Sequence, residues 1–142
     1  MADPKFPLTS TGAAMAVATS ALRAQQARMR IIAENLANAN STSRTPDGDP
    51  YRRQISVFKP EMVDGGQGVR LARVEQDQKD FKTIYDPSHP AANGQGYVKM
   101  PNVDSLIEAL DLREAQRAYE ANLNVIETAR SMEMRTLELL KK

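Results

Sequence analysis

The chain has 142 residues, 41% hydrophobic and 26% charged, which is ordinary enough to fold and leaves room for one domain or two small ones. Aromatics are only 5% and tryptophan is absent, so a dense aromatic-filled core is not expected. A net charge of +1 supplies no long-range field for nucleic acid or acidic lipid; zero cysteines exclude disulfides, thiol catalysis and Cys-ligated zinc; one histidine leaves little for a metal site or a catalytic triad. The lack of cysteine also suits an extracytoplasmic location.

No stretch approaches the roughly 20 apolar residues that span a bilayer, so no direct membrane insertion is expected. Lys5 followed by Gly12–Ala18 has the outline of a short secretory signal, but the run is alanine-dominated and a helical pattern continues straight through it. No cleaved signal is therefore expected. Six of the seven glycines and six of the eight prolines fall between residues 41 and 101. Because both residue types break helices, two long uninterrupted segments should flank a punctuated middle. Segment 1–8 is expected to be a flexible N-terminus, 9–40 a helix, 41–101 a small β-rich region and 102–142 a second helix.

In the first helix Met15, Ala18, Leu22, Gln25, Met29, Ile32, Leu36 and Ala39 follow a three-four heptad spacing. Thr9 or Ser10 is a candidate cap, and Asn40-Ser41 with Pro46 beyond marks the end. The middle holds five of the seven aromatics, so a small compact core is placed there. Tyr51–Val57 alternates and Pro60 is expected to stop it; Val69–Val74 alternates after a loop holding Asp64-Gly65-Gly66; together they predict a hairpin. Phe81–Tyr85 and Tyr97–Met100 are further strand candidates. In the last segment Asn102 is the first N-cap candidate and Ser105 the second. An apolar stripe drifts through Leu106, Leu110, Leu112, Ala115, Tyr119, Leu123, Ile126, Ala129, Met132 and Leu137, while Glu108, Asp111 and Glu114 complement the helix dipole. The fold class is thus mainly α with a small β region: long terminal helices forming a coiled-coil-like pair, with a hairpin-rich domain inserted between them.

Reactive constellations are thin. Asp86, Ser88 and His89 form the obvious catalytic suspect, yet neighbours in a Pro-bracketed loop point apart and no Gly-x-Ser-x-Gly elbow presents a nucleophile. Gly65–Gly68 lacks the Gly-Lys-Ser/Thr ending of a phosphate loop and reads as a hairpin connection. Arg52-Arg53 is too small for a nucleic-acid footprint and reads as a solvated strand edge. No enzyme activity, metal or cofactor is expected. The apolar stripes remain, and they serve an intramolecular helical hairpin, a subunit interface, or both. Val17, Ile31, Val125, Leu139 and Leu140 lie off a single shared seam, which favours assembly. Asn35, Asn38, Asn122 and Asn124 on or near the stripes are polar residues of the kind that specify register and partner.

Residues 33–42, Ala-Glu-Asn-Leu-Ala-Asn-Ala-Asn-Ser-Thr, resemble the Asn-Leu-Ala-Asn-Ala-Asn-Thr signature of bacterial flagellar rod and hook axial proteins. Four further stretches narrow the resemblance to proximal rod proteins: Arg44–Arg53, Tyr85–Pro90, Gly96–Val103 and Ala115–Asn122. The likeness runs from about residue 9 to 140. Ser41 replaces the usual Thr and keeps its hydroxyl, and Asp104–Leu112 departs from a commoner Met- and Val-rich version.

The resemblance implies a non-enzymatic structural subunit of the flagellar basal body. Such proteins pack their terminal helices as an inner tube in the periplasm-crossing, torque-transmitting rod, and pass through the flagellar type III export apparatus without signal cleavage. Implied partners are other copies of the chain, other rod proteins and the rod-to-export-gate adaptor. The assembly interface is assigned to Met15, Leu22, Met29, Ile32, Leu36, Asn38, Leu112, Tyr119, Asn122, Ile126, Ala129 and Met132. The competing reading is a soluble coiled-coil adaptor acting as a discrete oligomer. A hydrolase using Asp86 and His89 is a distant third.

Overall fold

The computed structural model describes residues 7–141, with side chains described from residue 11. The flexible segment expected at 1–8 lies almost wholly outside the described residues. Helix α1 spans Pro7–Ala37, strands β1 and β2 span Gln54–Val63 and Gly66–Gln76, strands β3 and β4 span Lys82–Tyr85 and Tyr97–Met100, and helix α2 spans Ser105–Leu140. At 1.5 Å per residue the helices are about 46 and 54 Å long. The expected pattern, long helices around a Gly/Pro-punctuated β region, is the observed one.

Several local expectations are corrected. α1 begins at Pro7, and proline suits the first helical position because its missing N–H would lack a partner there anyway. Thr9 and Ser10 therefore lie inside the helix and do not cap it. At its other end the Asn38 amide and backbone N–H both donate to the Glu34 carbonyl, and Ser41 Oγ donates to Asn38 Oδ1. α2 is capped by Asp104, whose Oδ1 accepts from the Leu106 N–H at 3.0 Å, and not by Asn102 or Ser105.

β1 and β2 form a two-stranded sheet joined by Asp64-Gly65, with φ of 45° and 83°. Two consecutive left-handed residues are the signature of the tight turn that matches strand twist. β1 starts at Gln54, not at Tyr51, and runs through Pro60 to Val63. A two-stranded sheet has only edge strands, so proline's missing donor can face away from the ladder. β3 and β4 pair antiparallel with Tyr85 opposite Tyr97, and those rings meet edge-on at 5.4 Å.

The chain divides into two compact units. Of the described residues, one holds 7–27, 58–72 and 115–141; the other holds 28–57 and 73–114. In the first, every buried apolar side chain among the described residues is an alanine: Ala18, Ala24, Ala115 and Ala129. Here β2 comes so close to α1 that a Cβ on Gly68 would sit 2.5 Å from Ser20 Oγ, and the Val69 N–H donates to that hydroxyl. In the second unit Ile31, Ile32, Ala91, Val98 and Val103 are buried, and α1 and α2 run antiparallel, joined by Arg28–Glu114 and Asn35–Glu108. The small core placed in the middle segment includes Ala91 and Val98, and the aromatics of this unit stand outside it. Tyr85 and Tyr97 are exposed, and Tyr51 and Phe81 are half-buried.

Candidate functional site

The turn carrying His89 is built by its own hydrogen bonds. Ser88 Oγ donates to Asp86 Oδ1 at 2.9 Å, and the Ala91 N–H donates to His89 Nδ1 at 3.0 Å. An Nδ1 that accepts places the ring hydrogen on Nε2, which lies 3.4 Å from Thr42 Oγ1. Ser88 and His89 thus have separate partners. The three residues form a turn and not a relay.

The centre of the second unit is a polar clasp that the sequence reading did not assemble. Asn35 is 1% exposed and fully used: its amide donates to the Gln54 carbonyl at 2.9 Å and to Glu108 Oε2 at 3.4 Å, while Oδ1 accepts from Tyr51 O–H at 2.7 Å and from the Gln54 N–H. Glu108, also 1% exposed, takes Arg53 Nε on its other oxygen. Arg53 Nη1 reaches Asp77 Oδ2 at 3.1 Å. Asn102 accepts from the Arg53 N–H and donates to the carbonyls of Asp77 and Lys79. Arg52 also donates to both of those carbonyls, and its guanidinium lies 4.1 Å over the Phe81 ring. Arg52-Arg53 is therefore no solvated strand edge, and Glu108 is a buried partner of Arg53 more than a dipole residue.

Electrostatics follow from this geometry. Burial alone would raise the Asp77 carboxyl, but the Lys79 N–H and the Arg53 guanidinium outweigh it and hold the group below its ordinary value. Burial would lower the Arg53 guanidinium, but Glu108 and then Asp77 outweigh it and raise it. The Tyr51 hydroxyl is raised by burial and by the nearby charges of Glu34 and Glu108. Among the described residues no group of histidines and carboxylates converges as a metal site.

The helix faces complete the picture. All eight positions of the α1 seam, from Met15 to Ala39, are buried or half-buried. In α2 the inward stripe is not the apolar drift expected. It runs through Glu108, Leu112, Ala115, Tyr119, Asn122, Ile126, Ala129 and Glu133 in four-three steps, all buried or half-buried. Leu106, Leu110, Leu123, Met132 and Leu137 from the expected stripe are exposed instead. The apolar count misled because the inward stripe begins on a carboxylate neutralised by Arg53. Of the residues assigned to assembly, Ile32 and Ala129 are buried. Met15, Leu22, Met29, Leu36, Asn38, Leu112, Tyr119, Asn122 and Ile126 are half-buried, and Met132 is 56% exposed. Asn122 spends its amide on the Ala118 carbonyl of its own helix. Large apolar side chains remain uncovered along α2: Leu106, Ile107 and Leu110 in the second unit, and Leu123, Val125, Met132, Met134, Leu137, Leu139 and Leu140 in the first.

Two long helices, one of them with an uncovered apolar face, are the marks of a protein that associates through its helices. Comparison with known proteins agrees. The family described as flagella basal body rod protein matches residues 15–44, and that described as flagellar basal body rod FlgEFG protein C-terminal matches residues 95–139. The flagellar basal-body rod protein FlgC of Agrobacterium fabrum is 48% identical over 131 residues, covering 91% of this chain and 94% of that protein. FlgC of Salmonella typhimurium is 44% identical over 125 residues (87% and 92%), and FlgC of Bacillus subtilis is 37% identical over 142 residues (88% and 95%). The chain belongs to the FlgC-type flagellar basal-body rod proteins, a family of structural rod subunits and not of enzymes.

Proposed function

We propose that this chain builds the proximal part of the rod by helical polymerisation through α1 and α2, which pack as a coiled-coil-like inner tube. The observation that carries this reading is the uncovered apolar surface of α2, from Leu106 to Leu140. Fully burying a side chain of leucine size contributes about 1.5–3 kcal/mol, so the seven large apolar residues from Leu123 to Leu140 alone offer at most roughly 10–20 kcal/mol gross. That is comparable with or above the estimated cost of association, about 4–15 kcal/mol. A contact between unlike patches that does not close on itself yields a filament, and stability then belongs to the polymer.

In this reading the interface comprises the assigned residues from Met15 to Asn38 and from Leu112 to Met132, supplemented by the exposed leucines of α2. The rod so formed crosses the periplasm and carries torque. The subunit reaches it through the flagellar type III export apparatus, beside other rod proteins and the rod-to-export-gate adaptor. The test is concentration-dependent mass together with isolation of basal bodies containing the tagged chain. A defined small oligomer at low micromolar concentration, with no chain in basal bodies, would instead establish the soluble adaptor.

A further inference from the structure

The first unit holds a cleft of ≈ 690 Å³ to which the rod reading gives no role. One wall is α1, contributing Ala16, Arg23 and Ala24; the other is the far half of the hairpin, contributing Met62, Arg70 and Leu71. Ala16, Ala24, Met62, Val69 and Leu71 give its walls apolar carbon, while the Thr19 and Ser20 hydroxyls that also line it donate to the Met15 and Val17 carbonyls of their own helix. Both guanidinium groups are on exposed residues, and neither makes an ion pair with any described residue. Glu61 and Asp64, on β1 and at the hairpin turn, line the same cleft. A fitting occupant therefore presents both signs of charge beside apolar surface.

One face of α2 has this composition. Glu120 and Glu127 are separated by two helical turns, about 10.5 Å, with Leu123 between them on the same face and Arg130 three residues further on. All four are exposed, and the three charged ones make no ion pair among the described residues. We propose that the cleft receives this face of α2 from a second copy of the chain. Leu123 packs on the apolar carbon of the walls, Glu120 and Glu127 meet Arg23 and Arg70, and Arg130 meets the hairpin carboxylates. Cleft and helix face are different patches of one chain, so every copy can donate one and receive another, the condition for an open repeating contact. The charge order also sets polarity. A helix entered end for end brings Arg130 toward an arginine and a glutamate toward the hairpin carboxylates, which is disfavoured.

The inference rests on the rod-subunit reading, since it needs copies side by side, and the test separates the two. The chain has no cysteine, so introduced thiols report the contact directly. Differently tagged R70C and E127C chains are co-expressed, basal bodies are isolated, and a short bismaleimide is applied. The expected product is a dimer containing one chain of each kind, with none from either variant alone. In parallel, R23E/R70E and E120R/E127R should each lower incorporation by roughly tenfold or more, and the four-residue charge swap should restore it. Parental incorporation of the double variants, or no mixed dimer from basal bodies that do contain both chains, overturns the cleft assignment and leaves the rod reading intact. Absence of the parental chain from basal bodies overturns both.

Discussion

Asn35 shows how one buried amide can organise a neighbourhood. Its oxygen takes two donors and its nitrogen reaches two acceptors, so α1, the start of β1 and the first turns of α2 share a single satisfied group. Glu108 is the more exposed to failure, because a buried charge is tolerable only while it is paired. Arg53→Ala leaves the buried Glu108 carboxylate with only the 3.4 Å contact from the Asn35 amide, and takes the guanidinium from Asp77. Urea unfolding of the purified chain should show a loss of about 3–5 kcal/mol, the usual result of breaking a buried pair from one side. Asp77 gives a pH signature. Because folding holds its carboxyl below the ordinary 3.8, its contribution is present above that value and is lost as pH falls through the lower folded one. Asp77→Asn should therefore flatten the fall in thermal stability below about pH 4 relative to the parent, apart from a uniform offset. None of this was legible beforehand, and the reason is physical. Asn35 and Glu108 lie 73 residues apart and Arg53 and Glu108 lie 55 apart, while periodicity reports only neighbours along one element. The sole local hint was four asparagines near apolar stripes, and they proved unlike one another: Asn35 is a clasp, Asn38 closes a helix end, Asn122 bonds to its own helix, and Asn124 is exposed.

At the scale of elements, legibility depended on whether the deciding force was local. Both helices and all four strands were foreseen in position, because glycine and proline act on their own backbone. Boundaries failed where a partner decided them: Pro60 stays within β1 because the sheet has only two strands, and Asn102 is drawn from capping to bridging the carbonyls of Asp77 and Lys79. The two positive-φ glycines differ in their surroundings. Gly65 needs its positive φ but has open space around it, so Gly65→Asn should change the melting temperature little, asparagine being the next best residue for that region. Gly96 needs both conformation and space, since a Cβ there would lie 2.8 Å from Tyr85 Cε2 and 3.1 Å from Pro87 Cγ at a φ of 89°. Gly96→Ala should cost more than about 1 kcal/mol, read from the same melting curves, through strain added to overpacking.

For the whole molecule the useful question is which apolar side chains fold the subunit and which remain for its neighbours. The inward stripe of α2 mixes Leu112, Tyr119 and Ile126 with two carboxylates, two alanines and an asparagine, whereas the leucines and methionines of its last turns are left outside. This departs from the usual amphipathic helix, in which the large apolar residues are gathered on the inward face. Such surface on a free chain is a standing invitation to association. Ile32 and Leu137 make the contrast testable. Ile32 is 6% exposed, so Ile32→Asp buries an unpaired charge and attacks the fold itself; loss of motility from it would say nothing about assembly. Leu137 is 59% exposed, so Leu137→Asp should leave the stability of the dilute chain within about 0.5 kcal/mol of the parent. In the rod reading the same carboxylate is buried against a neighbour, where desolvating it without a partner costs several kcal/mol, an order-of-magnitude figure. Incorporation into basal bodies and swimming should then be lost although the subunit's own melting curve is unchanged. Full motility from Leu137→Asp would remove the end of α2 from the interface and confine assembly to the half-buried seams.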